Sequence, residues 1–193
     1  MTNELETSLV PAPKPATLRL FFALWPEESV KAKMAGWARR AQERTGGRLM
    51  HPDNLHLTLA FLGDTPADQV ERIKAAAARV SPRTFDWELD TVGHWNHNHI
   101  VWAGTTAVSE PLALLVTELR TALMQAEIVF DAKAFVPHIT LVRNARHVAV
   151  LPDWKPLRWR VNGFALVKSV RTDEGSRYVN AAEWPGIETK AER

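Results

Sequence analysis

The word Asn54-Leu55-His56-Leu57-Thr58-Leu59-Ala60-Phe61-Leu62-Gly63 returns in altered form as Pro137-His138-Ile139-Thr140-Leu141-Val142-Arg143, with His138 placed 82 residues after His56. Side chains on a β-strand alternate faces with a period of two. His56 and Thr58 therefore share one face, while Leu55, Leu57 and Leu59 fill the other. His138 and Thr140 repeat the division against Ile139 and Leu141. Each strand buries an aliphatic side and offers an imidazole beside a hydroxyl on the opposite side. A segment of helical character precedes each copy. A duplicated unit of this kind, folded about a pseudo-twofold axis, would bring both His/Thr pairs to one cleft.

The segments around these two strands extend the pattern. Leu18–Leu24 is an apolar run that reads as a buried strand, and Pro26-Glu27-Glu28 starts a helix that Gly46-Gly47 stops near Arg44. Asn54–Leu62 is the second strand, and Pro66–Val80 a helix rich in good helix formers. Thr84–Trp95 and Ile100–Ala103 are extended runs joined by Asn96-His97-Asn98, a hairpin pattern. Leu112, Leu115, Leu119 and Leu123 form a helical stripe within Glu110–Gln125. Strands follow at Val136–Val142, Trp159–Val167 and Tyr178–Trp184. The order predicts an α+β fold with helices on one side of mainly antiparallel sheets. Residues 1–16, with Pro11, Pro13 and Pro15 and little apolar periodicity, read as a disordered arm.

Composition narrows the function classes. The chain has 193 residues, 46% hydrophobic and 24% charged, as expected of one globular domain. It has no apolar run long enough for a membrane span and no secretory signal pattern. The absence of cysteine excludes disulfides, thiolate nucleophiles and cysteine-ligated zinc, and allows a cytoplasmic location, which is the expectation. Lys+Arg at 24 against Asp+Glu at 22 gives +2, too small a surplus for a protein that wraps long duplex DNA. Arg39-Arg40 and Arg158-Trp159-Arg160 read first as solvated surface.

Two histidines near one phosphorus centre suit acid–base chemistry. The unperturbed imidazole pKa of about 6.5 lets one ring accept a proton while the other donates one near neutral pH. Hydroxyls beside them can donate to non-bridging phosphate oxygens as negative charge grows. No metal or cofactor is needed by such a scheme, and its rate should follow a bell centred near neutrality. A lone His-x-Thr in a strand is most often structural; the second copy is what gives the pattern weight.

Together the two words resemble the paired H-x-T-x motifs of the two-histidine (2H) phosphoesterases, and within them the bacterial RNA 2',3'-cyclic phosphodiesterases once called 2'-5' RNA ligases. Arg19-Leu20-Phe21-Phe22-Ala23 and Gly175-Ser176-Arg177-Tyr178 also suit that family, so the likeness spans about residues 18–185. The resemblance implies two pseudo-twofold-related lobes around a central cleft, in a single bilobal domain at 17–185 followed by a flexible tail at 186–193. It implies metal-independent hydrolysis of 2',3'-cyclic phosphate ends of RNA or small nucleotides to 2'-phosphomonoesters, with weak reversible 2'-5' ligation. By motif position His56 would be the proton donor and His138 the proton acceptor, with Thr58 and Thr140 on the phosphate. A monomer with no membrane or protein partner is expected. A non-catalytic nucleotide- or RNA-binding module, or a phosphodiesterase for another 2'-linked nucleotide, are the alternatives.

Further residues carry weaker signals. Arg143 could bind phosphate, but five residues after His138 it falls on the opposite face unless the strand ends or bulges near Val142. Arg19 and Phe21 share a face and could reach the cleft as substrate-binding residues, Phe21 by stacking on a base, although core packing is the commoner use of such a residue. Trp95 is a weaker candidate for base contact, and Arg177 and Tyr178 for cleft contact. Trp25, Trp37, Trp87 and Trp102 read as packing. His94, His97 and His99 cluster near the hairpin but lack a fourth ligand, so no metal site is expected. His51 and His147 read as loop residues.

Overall fold

Burial explains why the first strand is apolar on both faces. Leu20, Phe22 and Leu24 enter the main core, and Phe21 and Ala23 join a second, smaller cluster with Ala165 and Val167 on the other side. The computed structural model describes residues 16–147, 150–173 and 175–188. Most of the 1–16 arm and of the 186–193 tail lies outside the described residues.

The elements are β1 (Thr17–Leu24), α1 (Glu28–Thr45), β2 (Arg48–Leu49), β3 (Leu57–Pro66), α2 (Val70–Ala77), β4 (Phe85–Leu89), β5 (Thr91–Trp95), β6 (Ile100–Gly104), α3 (Glu110–Gln125), β7 (His138–Arg143), β8 (Leu157–Val161), β9 (Gly163–Thr172) and β10 (Gly175–Pro185). One sheet runs in the order β10-β9-β1-β3-β7-β6-β5, with β2 on β7, and β4 pairs with β8 in a second, two-stranded sheet. All pairings between these strands are antiparallel. The fold is α+β, as the element order predicts. Two halves of the large sheet, β10-β9-β1-β3 and β7-β6-β5, meet at a single registered pair, Leu57 with Ile139.

Helices cover one face of that sheet. α1 buries Val30, Met34, Trp37, Ala38 and Ala41 at mixed three- and four-residue spacing. It ends where Gly46, at φ 67, donates its N–H to the Gln42 carbonyl at 2.7 Å. α3 buries Leu112, Leu115, Leu119 and Leu123, the stripe seen in the sequence, and packs on β3 and α2. No described helix is long and apolar enough to cross a membrane.

Several expected boundaries shift. The run Thr84–Trp95 is two strands in different sheets, β4 on β8 and β5 on β6. Asp90 fixes the break, its carboxylate accepting from the Thr106 amide at 2.7 Å and the Thr106 hydroxyl at 2.6 Å. Trp159–Val167 likewise divides into β8 and β9 at Asn162-Gly163. The expected helix Pro66–Val80 is shorter, because β3 continues to Pro66 in register with Thr17. Trp37 and Trp87 are core residues, whereas Trp25 and Trp102 are half-buried.

Candidate active site

The backbone of β7 decides where Arg143 points. His138 and Thr140 are half-buried and Ile139 is buried, but Leu141 and Val142 are both buried, and Arg143 is half-buried again. Against β6, Val142 pairs with Val101 and Thr140 with Trp102, so Leu141 has no partner. This is a β-bulge, and one extra residue restores Arg143 to the face of His138 and Thr140. β3 repeats the device. Ala60 pairs with Phe22 and Thr58 with Ala23, leaving Leu59 over, and Leu59 and Ala60 are both buried. Phe61 therefore returns to the face of His56 and Thr58, five residues after its histidine as Arg143 is after its own.

The two strands meet at Leu57 and Ile139, both fully buried on the core side. Continuing that antiparallel register by one residue sets His56 across from Thr140 and Thr58 across from His138. The four groups thus emerge together on the face away from the helices.

Each imidazole is oriented by the carbonyl two residues before it. His56 Nδ1 lies 2.7 Å from the Asn54 carbonyl and His138 Nδ1 lies 2.8 Å from the Val136 carbonyl. A carbonyl oxygen only accepts, so Nδ1 carries the proton in both rings and Nε2 is the nitrogen free for chemistry. The Thr58 hydroxyl sits 3.1 Å from His56 Nε2 and donates to it while the ring is neutral. His138 Nε2 has no protein partner among the described residues.

Aromatic side chains crowd the first ring. Phe21, Tyr178 and Trp25 have ring centroids 4.9, 5.2 and 5.5 Å from that of His56. Trp25 is held by its Nε1 donating to Asn180 Oδ1 at 2.9 Å. Among the described residues His138 has one aromatic neighbour of this kind, Trp95, edge-on at 4.6 Å. Burial pushes the His56 pKa down from 6.5 to about 4, and the charges of Arg143 and His138 push the same way against the Asn54 carbonyl. The His138 pKa is also lowered, by burial first and again by Arg143, with the Val136 carbonyl opposing. Both imidazoles are therefore neutral in the free protein at pH 7, and one guanidinium acts on both.

A cavity of about 350 Å³ opens beside His56, Thr58 and Arg143. Its walls include Arg19, Phe21 and Tyr178. Phe21 is 3% exposed and works as the packed floor beneath the His56 ring. Arg19 stacks its guanidinium on Phe61 at 4.9 Å and pairs with Asp64 at 3.3 Å. His138 and Thr140 do not line this cavity; register and charge are what join them to it. Arg177 lies outside it, in the adjoining groove.

Arg48 and Phe61 are cavity residues that the sequence reading missed. Phe61 had a signal, its match in spacing to Arg143. Arg48 had none: it becomes a neighbour of Arg143 only because β2 pairs with β7, setting Arg48 directly opposite Arg143. Like charges facing each other across strands destabilise a sheet, so the pair costs energy unless an anion sits between them. Gly47 makes this approach possible. Its φ is 89, and a Cβ there would come within 2.6 Å of the Arg143 carbonyl oxygen.

The His94, His97 and His99 cluster does not converge. His94 lies on β5 with both ring nitrogens buried and unpartnered, while His97 and His99 are exposed in the turn. No group of three or more metal-ligating side chains occurs among the described residues. His51 accepts from the Asp53 amide at 3.3 Å at the start of a short 3₁₀ turn, Pro52–Asn54. His147 is an exposed loop residue.

Comparison with known proteins points one way. The family model described as LigT like Phosphoesterase matches residues 24–102. The RNA 2',3'-cyclic phosphodiesterase of Escherichia coli is 30% identical over 170 residues, covering 86% of this chain and 95% of the relative. The protein of the same name from Thermus thermophilus is 32% identical, covering 83% of this chain and 86% of the relative. The crystal structure of E. coli LigT complexed with 3'-AMP superposes with a TM-score of 0.81 at 29% identity, over 88% of this chain and 98% of the other. Over nearly the full length of such relatives, in sequence and in fold alike, the chain belongs to the RNA 2',3'-cyclic phosphodiesterase family of LigT-like phosphoesterases.

Proposed function

We propose that this protein is a hydrolase that opens the 2',3'-cyclic phosphate at the 3' end of RNA, leaving a 2'-phosphomonoester and a free 3' hydroxyl. The observation that carries the reading is the pair of imidazoles, each donating Nδ1–H to the carbonyl two residues back, with Arg143 acting on both. His138, neutral and with Nε2 open, takes a proton from water as the water oxygen bonds to phosphorus. The bond from phosphorus to the 3' oxygen breaks, and His56 Nε2 gives that oxygen its proton. Arg143 and the Thr58 and Thr140 hydroxyls hold the non-bridging oxygens as charge builds on them.

The depressed His56 pKa gives substrate a part in arming the acid. An imidazole at about 4 is almost wholly neutral at pH 7. A bound phosphate anion favours the charged ring, offsets Arg143 and raises the pKa. The donor is thereby protonated most readily when there is a leaving oxygen to receive the proton. Thr58 suits both states, because its hydroxyl donates to the neutral Nε2 and accepts from the charged one.

The test is incubation of the purified protein with a 2',3'-cyclic phosphate-terminated oligonucleotide in chelator. A 2'-phosphate product is expected, lost in His56→Ala and in His138→Ala. Tight binding with no product, or a 3'-phosphate product, would sink the reading.

A further inference from the structure

The cavity adjoins a larger groove of about 990 Å³, and Arg48, Asn54, Ser176 and Tyr178 line both. The junction is built: Asn54 Nδ2 donates to the Ser176 carbonyl at 2.8 Å, tying the loop before β3 to β10. Past the junction the groove runs between Arg39, on the exposed side of α1, and Arg177 on β10. Among the described residues two carboxylates also line it, Asp53 and Asp173, and Asp53 faces His51 at 3.5 Å. Arg39, Arg48 and Arg177 have no carboxylate partner among the described residues.

Chemistry fixes the direction in which such a groove is useful. A cyclic phosphate occupies both the 2' and 3' oxygens of the last ribose, so the polymer can leave only from that nucleotide's 5' side. The smaller cavity is of the size that one small ligand fills, and the groove offers room for more. Unpaired guanidiniums along an open, solvent-facing track are suited to internucleotide phosphates.

We propose that this groove carries the RNA strand 5' of the terminal nucleotide, with Arg39 and Arg177 meeting its phosphates and Arg48 marking the entrance to the cavity. The inference rests on the hydrolase reading of the cavity and adds that this enzyme prefers oligonucleotides to cyclic mononucleotides. Exposed contacts of this kind contribute through substrate binding and are sensitive to salt.

The experiment compares a 2',3'-cyclic mononucleotide with cyclic phosphate-ended oligonucleotides of two, three and five residues. Wild type and the double variant Arg39→Gln/Arg177→Gln are assayed at several salt concentrations. In the wild type kcat/KM should rise about tenfold from mononucleotide to trinucleotide, mostly through KM, and more steeply at low salt. In the double variant that gain should vanish while the mononucleotide rate stays within about twofold, which also reports that the variant is folded. Two lost phosphate contacts should flatten the log–log salt dependence for oligonucleotides by about 1.4. Equal kcat/KM for all lengths in the wild type would overturn the inference while leaving the hydrolase reading intact, as would a length preference that survives in the double variant. Hydrolysis of neither substrate class by the wild type would overturn the hydrolase reading itself, and the groove assignment with it.

Discussion

The His56 and His138 halves of the cleft share a backbone and differ in nearly everything attached to it. Both strands carry His-x-Thr, both bulge at the next two buried residues, and both lock Nδ1 to the carbonyl two residues back. Yet His56 sits among Phe21, Trp25 and Tyr178 with its Nε2 met by Thr58, while among the described residues His138 has only Trp95 as an aromatic neighbour and no partner on Nε2. At the position after each bulge one strand presents Phe61 and the other Arg143. The lesson is a division between placement and role. Local backbone chemistry delivers two imidazoles in the same tautomer, and the neighbours make one side suited to holding a ring system and the other to holding charge.

The largest effect should come from the feature the halves share. Replacing either histidine with asparagine should lower kcat by about 10² to 10⁴, the range for one proton transfer, as single-turnover kinetics would report. A variant within tenfold of wild type would mean that the two halves are not partners.

Next comes the position where they differ. Arg143→Gln should reduce kcat/KM by about 10²-fold, with a large part in kcat, because charge on the phosphate grows in the transition state. Phe61→Leu should act mainly on KM and by no more than about tenfold, as loss of stacking does. The reverse pattern would show that the halves have been assigned the wrong way round.

Titration sharpens the same contrast. Both histidines titrate below 6.5 in the free protein, His56 at about 4. The singly protonated form needed for acid–base catalysis is therefore most populated below pH 6.5, and it is lost as pH rises because both rings become neutral. The kcat/KM profile should peak on the acid side of 6.5, away from the neutral bell that unperturbed imidazoles would give, while kcat should peak at higher pH because bound phosphate raises the donor's pKa. Arg143→Gln should move the kcat/KM maximum upward, since that guanidinium lowers both groups. Coincident profiles for kcat and kcat/KM would remove the substrate's part in charging His56.

The smallest effect concerns support. Gly47→Ala places a side chain at φ 89 against the Arg143 carbonyl and should cost about 1–3 kcal/mol in chemical denaturation, with a loss of activity in the direction of Arg143→Gln. An unstrained variant with full activity would show that the β2–β7 pairing is not what presents Arg143.

Elements that depend on short-range periodicity were legible in the amino-acid sequence. Alternation along Leu55–Leu59 and Pro137–Leu141 assigned the faces of both histidines and threonines, and the leucine stripe of Glu110–Gln125 assigned a helix, because each pattern is written within a few residues. The bulges could not be read that way. Whether Leu141 is left over depends on which residues of β6 stand opposite it, and regular alternation alone sends Arg143 to the wrong face. Arg48 becomes a cavity residue through its pairing with Arg143, the break between β4 and β5 through Asp90 holding Thr106, and the groove through Asn54 reaching Ser176. These are contacts between residues far apart in the chain, and the packing of the whole molecule fixes them.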